Sequence, residues 1–135
     1  MRSAAIPLVD AMATAVWRSG LAGSVLTWVP GRPAEERRRG FDHAHLLAQG
    51  LGRRLGLPVV PLLERTGSDR DQVGLSAEER RQNLVGAFRA RSESLASVVL
   101  VDDVLTTGAT ASSCARALQA AGASSVEVVV ACSAE

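Results

Sequence analysis

Hydrophobic residues recur along the chain with two different spacings, which predict alternating helices and strands. Leu8, Met12 and Val16 are four residues apart and predict an amphipathic first helix that ends near Gly20. The apolar run over residues 24–29 then predicts a short buried strand. The chain therefore begins with a helix followed by a strand.

A second helix is predicted after Asp42, because aspartate is a favoured N-cap residue. Leu47, Leu51 and Leu55 form one apolar stripe along this helix, and Gly56 ends it. Glycines inside the helix weaken it by about 1 kcal/mol each. The leucine stripe nevertheless predicts that one helix face is buried.

The middle of the chain predicts an edge strand and a long loop. Residues 59–63 have the composition of a strand, and Pro61 favours an edge position because proline cannot donate to a strand ladder. Residues 64–76 are polar and predict a loop of the length that is often functional. A capping-box pattern that begins at Ser76 predicts a short helix over residues 77–83.

The last third of the chain predicts a buried strand between two further strands. Residues 84–88 predict one strand, and residues 89–94 predict a charged turn. The continuous apolar run at 97–101 is typical of a strand that is buried on both faces. A helix over 110–121 and a strand over 125–131 complete the pattern. This order predicts an α/β fold with a doubly wound, mostly parallel sheet and helices on both faces.

Length and charge limit the number of domains and the kind of ligand. The 135 residues fit one domain, with an N-terminal helical segment over 1–23 and a core over 24–132. The net charge of +1 gives little support for non-selective binding of nucleic acid. All 15 basic residues are arginine, which excludes a Schiff-base lysine and a Walker lysine. A bound phosphate must therefore be held by backbone amides, hydroxyls or guanidinium groups.

The two cysteines and the N-terminal segment predict the cellular setting. Cys114 and Cys132 have no partner at metal-binding or disulfide-framework spacing, so we expect buried structural thiols. Asp10 and Arg18 interrupt the alanine-rich N-terminal segment, and no stretch is long enough to span a membrane. We therefore expect a cytoplasmic protein without a membrane partner.

The strongest chemical signal follows the buried strand at 97–101. Asp102 and Asp103 lie at the carboxyl end of a strand that we expect to be central, where sheets of this kind bind ligands. The next residues turn into a helix, so backbone amides and the positive end of the helix dipole favour an anion. Gly108 permits close approach of the backbone. Carboxylates beside an anion site suit a ligand such as ribose 5-phosphate, which has hydroxyls next to a phosphate.

Two other interpretations of this segment remain open. It is compatible with a strand end that has two solvated acids and a Thr-Gly turn. An acidic pair after a buried strand also occurs in phosphoacceptor receiver domains. The late position of the pair and the absence of lysine oppose that second interpretation.

The run VVLVDDVLTTGAT at residues 98–110 resembles the signature of type I phosphoribosyltransferases. Further segments, at residues 29–30, 37–58 and 72–88, resemble the ComF family of competence-associated phosphoribosyltransferase homologues. The resemblance covers about residues 24–132. The chain differs from the family, which commonly carries an N-terminal zinc ribbon and a lysine-bearing segment. We therefore interpret the chain as a short form without the ribbon.

The resemblance implies a role for each matching residue. Asp102 and Asp103 would bind the ribose hydroxyls of 5-phosphoribosyl 1-diphosphate (PRPP) and act in catalysis. The 5-phosphate would be bound by Thr106, Thr107, Gly108, Ala109 and Thr110. Arg37 and Arg39, in the turn over 30–39, match residues that bind diphosphate, and Arg80 and Arg81 are catalytic candidates that close over it.

Each arginine group also has a plainer interpretation. Residues 37–39 are compatible with a solvated basic turn. Arg80 and Arg81 are equally compatible with ion pairs to Glu78 and Glu79 on an exposed helix face. His43 and His45 are an unlikely metal pair, because their spacing does not place them on one helix face.

The implied activity is transfer of the phosphoribosyl group of PRPP to a nitrogen nucleophile, with release of diphosphate. Mg²⁺ would arrive with PRPP, and we expect no metal ligand from the protein. The alternative is a non-catalytic PRPP sensor or a competence accessory protein for DNA uptake. The sequence does not identify the acceptor of the phosphoribosyl group. The aromatic residues able to stack on a base are Trp17, Trp28, Phe41 and Phe88. A homodimer is possible, and binding of nucleic acid by this chain alone is not expected.

Overall fold

A computed structural model describes residues 5–19, 24–32, 37–38, 40–66, 87–93, 97–105 and 108–133. In chain order its elements are α1 (Ala5–Ser19), β1 (Val25–Trp28), α2 (His43–Leu55), β2 (Leu63–Arg65), β3 (Phe88–Ala90), β4 (Ser97–Leu105), α3 (Ala109–Ala120) and β5 (Ser125–Ser133). Over these ranges, no helix has the length and apolar character that crossing a membrane requires.

The main sheet has β4 at its centre, with β1 and β5 paired to it in parallel on either side. Val59 forms a parallel bridge with Leu26 of β1. The strand predicted over residues 59–63 is wrong, because Val59 forms only this single bridge and Leu63 instead begins β2 of a second sheet. The antiparallel β2–β3 hairpin forms a second, smaller sheet. The buried Thr27 hydroxyl connects the two sheets by accepting a hydrogen bond from the Leu62 N–H over 3.2 Å.

Both faces of the main sheet are covered, as the apolar run of β4 predicts. Val99 and Val101 pack into a core with α1 and α2. Val98 and Leu100 pack into a second core with α3 and the β2–β3 hairpin. Alternate residues of a strand point to opposite faces, so four consecutive buried residues of β4 serve both cores. The predicted doubly wound α/β fold is confirmed.

Helix α2 begins and ends where the sequence predicts. The Asp42 carboxylate accepts a hydrogen bond from the His45 N–H over 3.3 Å. Gly56 ends the helix with φ of 71°, in the left-handed region. A Cβ atom on Gly52 would lie 2.5 Å from Val59 Cγ2 and 2.9 Å from the Leu57 carbonyl oxygen. Gly52 therefore allows α2 to pack closely on residues 57–59, so it has a packing role in addition to its unfavourable effect on helix stability.

Two other predicted boundaries differ from the structure in the region of the site. The charged turn predicted to begin at Arg89 is strand until Ala90, because Arg89 pairs with Glu64 across the hairpin. Strand β4 continues past Val101 to Leu105, because its ladder with β5 includes Asp102. The predicted helix over 77–83 and residues 67–76 of the predicted loop lie outside the described residues.

Candidate functional site

The acidic pair lies in the carboxyl-terminal half of the central strand. Asp102 is 8% exposed, and the Asp103 side chain is 25% exposed. Asp102 Oδ1 accepts a hydrogen bond from the Asp103 backbone N–H over 2.8 Å. Strand β1 ends beside this position, since Trp28 pairs with Val101. The pair therefore occupies the edge of the sheet at which ligands bind in folds of this class.

The two carboxylates are not equivalent, because alternation along β4 directs them to opposite faces of the sheet. Asp103 Oδ2 lies 3.5 Å from His43 Nδ1, in the first turn of α2. Asp102 instead lies on the face of β4 that packs against α3, where its charge adds to the larger effect of burial in raising the pKa of Cys114. The sequence shows that the two aspartates are neighbours, but the structure is needed to show that they face different helices.

Gly108 lies at the N-terminal end of α3, three residues after the end of β4. It has φ of 80° and ψ of −3°, in the left-handed region, and it is the N-cap of α3. Glycine has no side chain with which to cap the first-turn amides, and a 12-residue helix contributes a positive dipole end at the same point. The arrangement favours a phosphate at the start of α3.

The structure places only part of the predicted site. Gly108, Ala109 and Thr110 form the start of α3 and are partly buried. Arg37 is described and exposed. The following predicted site residues lie outside the described part of the chain: Arg39, Arg80, Arg81, Thr106 and Thr107. Their roles stay predictions.

Aromatic rings gather beside Asp103. The rings of Phe41 and His43 meet edge to face, with centroids 5.9 Å apart and an interplanar angle of 82°. Trp28 stacks on His45 at 3.9 Å. Phe41 is 38% exposed, so part of its ring is available to a ligand. The sequence indicates Trp28 and Phe41 as residues able to stack on a base, but no local pattern predicts their contacts with the two histidines.

Arg65 makes contacts that the sequence did not predict. Its Nε donates a hydrogen bond to the Pro30 carbonyl oxygen over 3.0 Å. Its guanidinium lies over the Phe88 ring, 4.7 Å from the centroid. No local pattern distinguishes Arg65 from the other arginines, because its partners are distant in sequence.

Cys114 is fully buried behind β4, which confirms the expectation of a buried thiol for this residue. Burial raises its pKa from 9.0 to about 12, the Arg65 charge lowers it, and the Asp102 charge raises it. The folded pKa is therefore above the unfolded value. The thiol's contribution to stability is complete below pH 9 and is lost as the pH rises toward 12.

We expect Cys114 to be protected from thiol reagents in the folded protein. In a Cys132→Ser variant, its reaction with a disulfide reagent at neutral pH should be roughly 100-fold slower in buffer than in urea. Urea unfolding at increasing pH should show a fall in the free energy of unfolding above pH 9 that a further Cys114→Ala change reduces. Equal rates in buffer and urea would contradict the burial of this thiol.

A model of the phosphoribosyl transferase domain family matches residues 38–135. Competence protein F of Haemophilus influenzae is 40% identical over 96 residues, which are 67% of this chain and 42% of that protein. DNA utilization protein YhgH of Escherichia coli K12 is 39% identical over 97 residues, which are 70% of this chain and 43% of that protein. The chain thus spans less than half the length of these curated relatives.

The fold is similar to that of solved phosphoribosyltransferase-type structures. Glutamine PRPP amidotransferase of B. subtilis, complexed with ADP and GMP, aligns with a TM-score of 0.64 and 26% identity. The alignment covers 96% of this chain and 26% of that chain. The named relatives confirm the resemblance to competence-associated homologues. Since the family model covers well over half of the chain, the protein belongs to the phosphoribosyl transferase domain family.

Proposed function

We propose that the chain binds PRPP with Mg²⁺ at the carboxyl edge of β4 and transfers the phosphoribosyl group to a nitrogen nucleophile. The observation that carries this proposal is the order of groups along the chain: two carboxylates near the end of β4 are followed six residues later by a helix start with a left-handed glycine as its N-cap. Groups suited to hydroxyls and groups suited to phosphate thus follow one another, as the ligand groups do in ribose 5-phosphate. The solved amidotransferase, which is named for PRPP, supports the choice of ligand.

The proposed contacts combine the described positions of the acidic pair and of α3 with the roles that the family resemblance implies for the arginines. Asp102 and Asp103 accept hydrogen bonds from the ribose hydroxyls, and Asp103 is the more accessible of the two. The start of α3 binds the 5-phosphate through its amides. The turn that begins at Pro30, with Arg37 and Arg39, binds diphosphate. Arg80 and Arg81 close over the leaving group.

The proposed reaction is a displacement at the anomeric carbon. The bond to the diphosphate oxygen breaks with its electron pair leaving on diphosphate, a bond to nitrogen forms, and the nitrogen releases a proton. Positive charge develops on the ribose ring, where nearby carboxylates stabilise it. Mg²⁺ would be held by the diphosphate and ribose oxygens of PRPP, which are fitting donors for it, and would supply charge neutralisation for diphosphate.

Calorimetry of the protein with PRPP and Mg²⁺ tests binding, and diphosphate release with a panel of nucleobases and amines tests transfer. We expect saturable binding at one site and release that depends on the added acceptor. Absence of PRPP binding under these conditions would refute the proposal. Ribose 5-phosphate and diphosphate, titrated separately, report the two halves of the site.

A second proposed function is a PRPP sensor or an accessory protein in DNA uptake. The observation that favours it is the naming of the relatives as competence and DNA utilization proteins. On this proposal PRPP binds at the same residues but is not consumed. Tight binding without diphosphate release for any acceptor in the panel would favour this function over transfer.

A further inference from the structure

Arg65 joins separate segments at the carboxyl edge of the main sheet. It is the last residue of β2. Its Nε hydrogen bond reaches the carbonyl of Pro30, two residues beyond the end of β1. Its guanidinium covers the ring of Phe88, at the start of β3. One side chain therefore contacts both the exit from β1 and the opposite strand of the hairpin.

Arg65 also lies on the side of the main sheet that carries α3. The Phe88 ring, which the Arg65 guanidinium covers, packs in the same core as Cys114 of α3. After the larger effect of burial, the Arg65 charge lowers the pKa of Cys114 and the Asp102 charge raises it. Arg65 therefore contacts the exit from β1 on the same side of the sheet as the helix whose start we propose to bind the 5-phosphate.

Attachment of the hairpin does not require the bond from Arg65 to Pro30. Backbone pairing joins β2 to β3, and Arg89 pairs with Glu64 across the same hairpin. The Leu62 N–H donates to Thr27 of β1, which links the hairpin to the main sheet. The additional effect of the Arg65 bond is on the Pro30 carbonyl, and hence on the direction in which the chain leaves β1.

We propose that Arg65 is a positioning residue for the diphosphate half of PRPP. By holding the Pro30 carbonyl, it fixes the orientation of the turn whose next residues are Gly31 and Arg32. A preorganised turn binds its ligand more tightly because less conformational entropy is lost on binding. This inference rests on the proposed function, since it assigns to that site a residue that acts on one half of the ligand.

The test compares two ligands that share the ribose and the 5-phosphate but differ in the diphosphate. In Arg65→Met, calorimetry with Mg²⁺ should show PRPP affinity reduced about tenfold or more, because the turn must then be ordered when the ligand binds. Affinity for ribose 5-phosphate should be unchanged. Methionine retains a flexible apolar stem that can pack on Phe88.

Arg89→Met is the matched control. It removes the same charge from the same hairpin, where the described partner is Glu64. We expect it to leave both affinities unchanged. If Arg65→Met does not fold, Arg65→Lys decides, because lysine keeps the charge but lacks the planar fork that reaches Pro30 and covers Phe88. A reduced PRPP affinity with unchanged ribose 5-phosphate affinity in that variant supports the proposal.

Three outcomes would overturn the role of Arg65. The first two are wild-type PRPP affinity in Arg65→Met and wild-type PRPP affinity in Arg65→Lys. The third is an equal loss of affinity for PRPP and for ribose 5-phosphate in whichever variant folds. An equal loss would mean that Arg65 supports the whole site without selecting its diphosphate half. In each case the unmodified protein still binds PRPP, whereas failure of the proposed function would appear as absence of PRPP binding in the unmodified protein.

Discussion

Replacing Asp102 and Asp103 together with asparagine is expected to weaken PRPP binding by about 100-fold or more. Each carboxylate is proposed to accept a hydrogen bond from a ribose hydroxyl, and hydrogen bonds to charged groups contribute roughly 1.5–3 kcal/mol each. Two such losses give a factor of at least about 100 in Kd. Calorimetry with PRPP and Mg²⁺, with ribose 5-phosphate as a second ligand, provides the measurement.

The sign of this effect distinguishes hydrogen bonding from charge alone. PRPP is highly anionic, so removal of two negative charges would strengthen its binding if only Coulomb repulsion were involved. Asparagine keeps the size of the side chain and one acceptor oxygen. Asp42→Asn is a control for loss of negative charge elsewhere, because an N-cap tolerates the change and one carboxylate is removed at the start of α2. Undiminished affinity in the double variant would refute the ribose contacts.

The Gly108→Val variant is expected to lose binding of both PRPP and ribose 5-phosphate while it remains folded. Valine is strongly disfavoured at φ of 80°, so the backbone must change its conformation and the first-turn amides of α3 no longer converge on one point. Loss of two or more charge-assisted hydrogen bonds to the 5-phosphate corresponds to at least about 100-fold in Kd. Calorimetry measures the loss, and circular dichroism reports folding.

Gly56→Val separates backbone strain from loss of the phosphate site. Gly56 has a similar φ of 71°, and a Cβ atom there would meet no other heavy atom within 4 Å. The control therefore imposes strain of the same kind at the far end of α2. It should lower stability while keeping the affinity for ribose 5-phosphate. If Gly108→Val retains this affinity, the start of α3 does not bind the 5-phosphate.

Local sequence patterns predicted the elements that carry the site. The unbroken apolar run of β4 requires burial on both faces, and the Thr-Gly segment before an amphipathic stretch predicts a helix start. Asp42 and Gly56 predicted the ends of α2 because caps depend on neighbouring residues. These features are encoded within a few positions of the residues that form them.

Contacts between distant segments were not accessible to the same reasoning. Gly52 is needed because Val59 approaches it, and that approach depends on the bridge between Val59 and β1. Arg65 was indistinguishable from the other arginines until the fold brought Pro30 and Phe88 to it. The contact between His43 and Asp103 likewise requires α2 to lie on one face of β4. Such roles depend on tertiary geometry.

The parallel pairing of β1 with β4 has a consequence for assembly of the site. Val25 pairs with Val98, so this contact closes a loop that includes much of the chain. Loop closure of this kind costs entropy before the contact contributes any stability. The acidic pair can therefore reach its place only after β4 has left the ribosome. A ligand that binds only the completed edge would draw newly made chains toward the folded state.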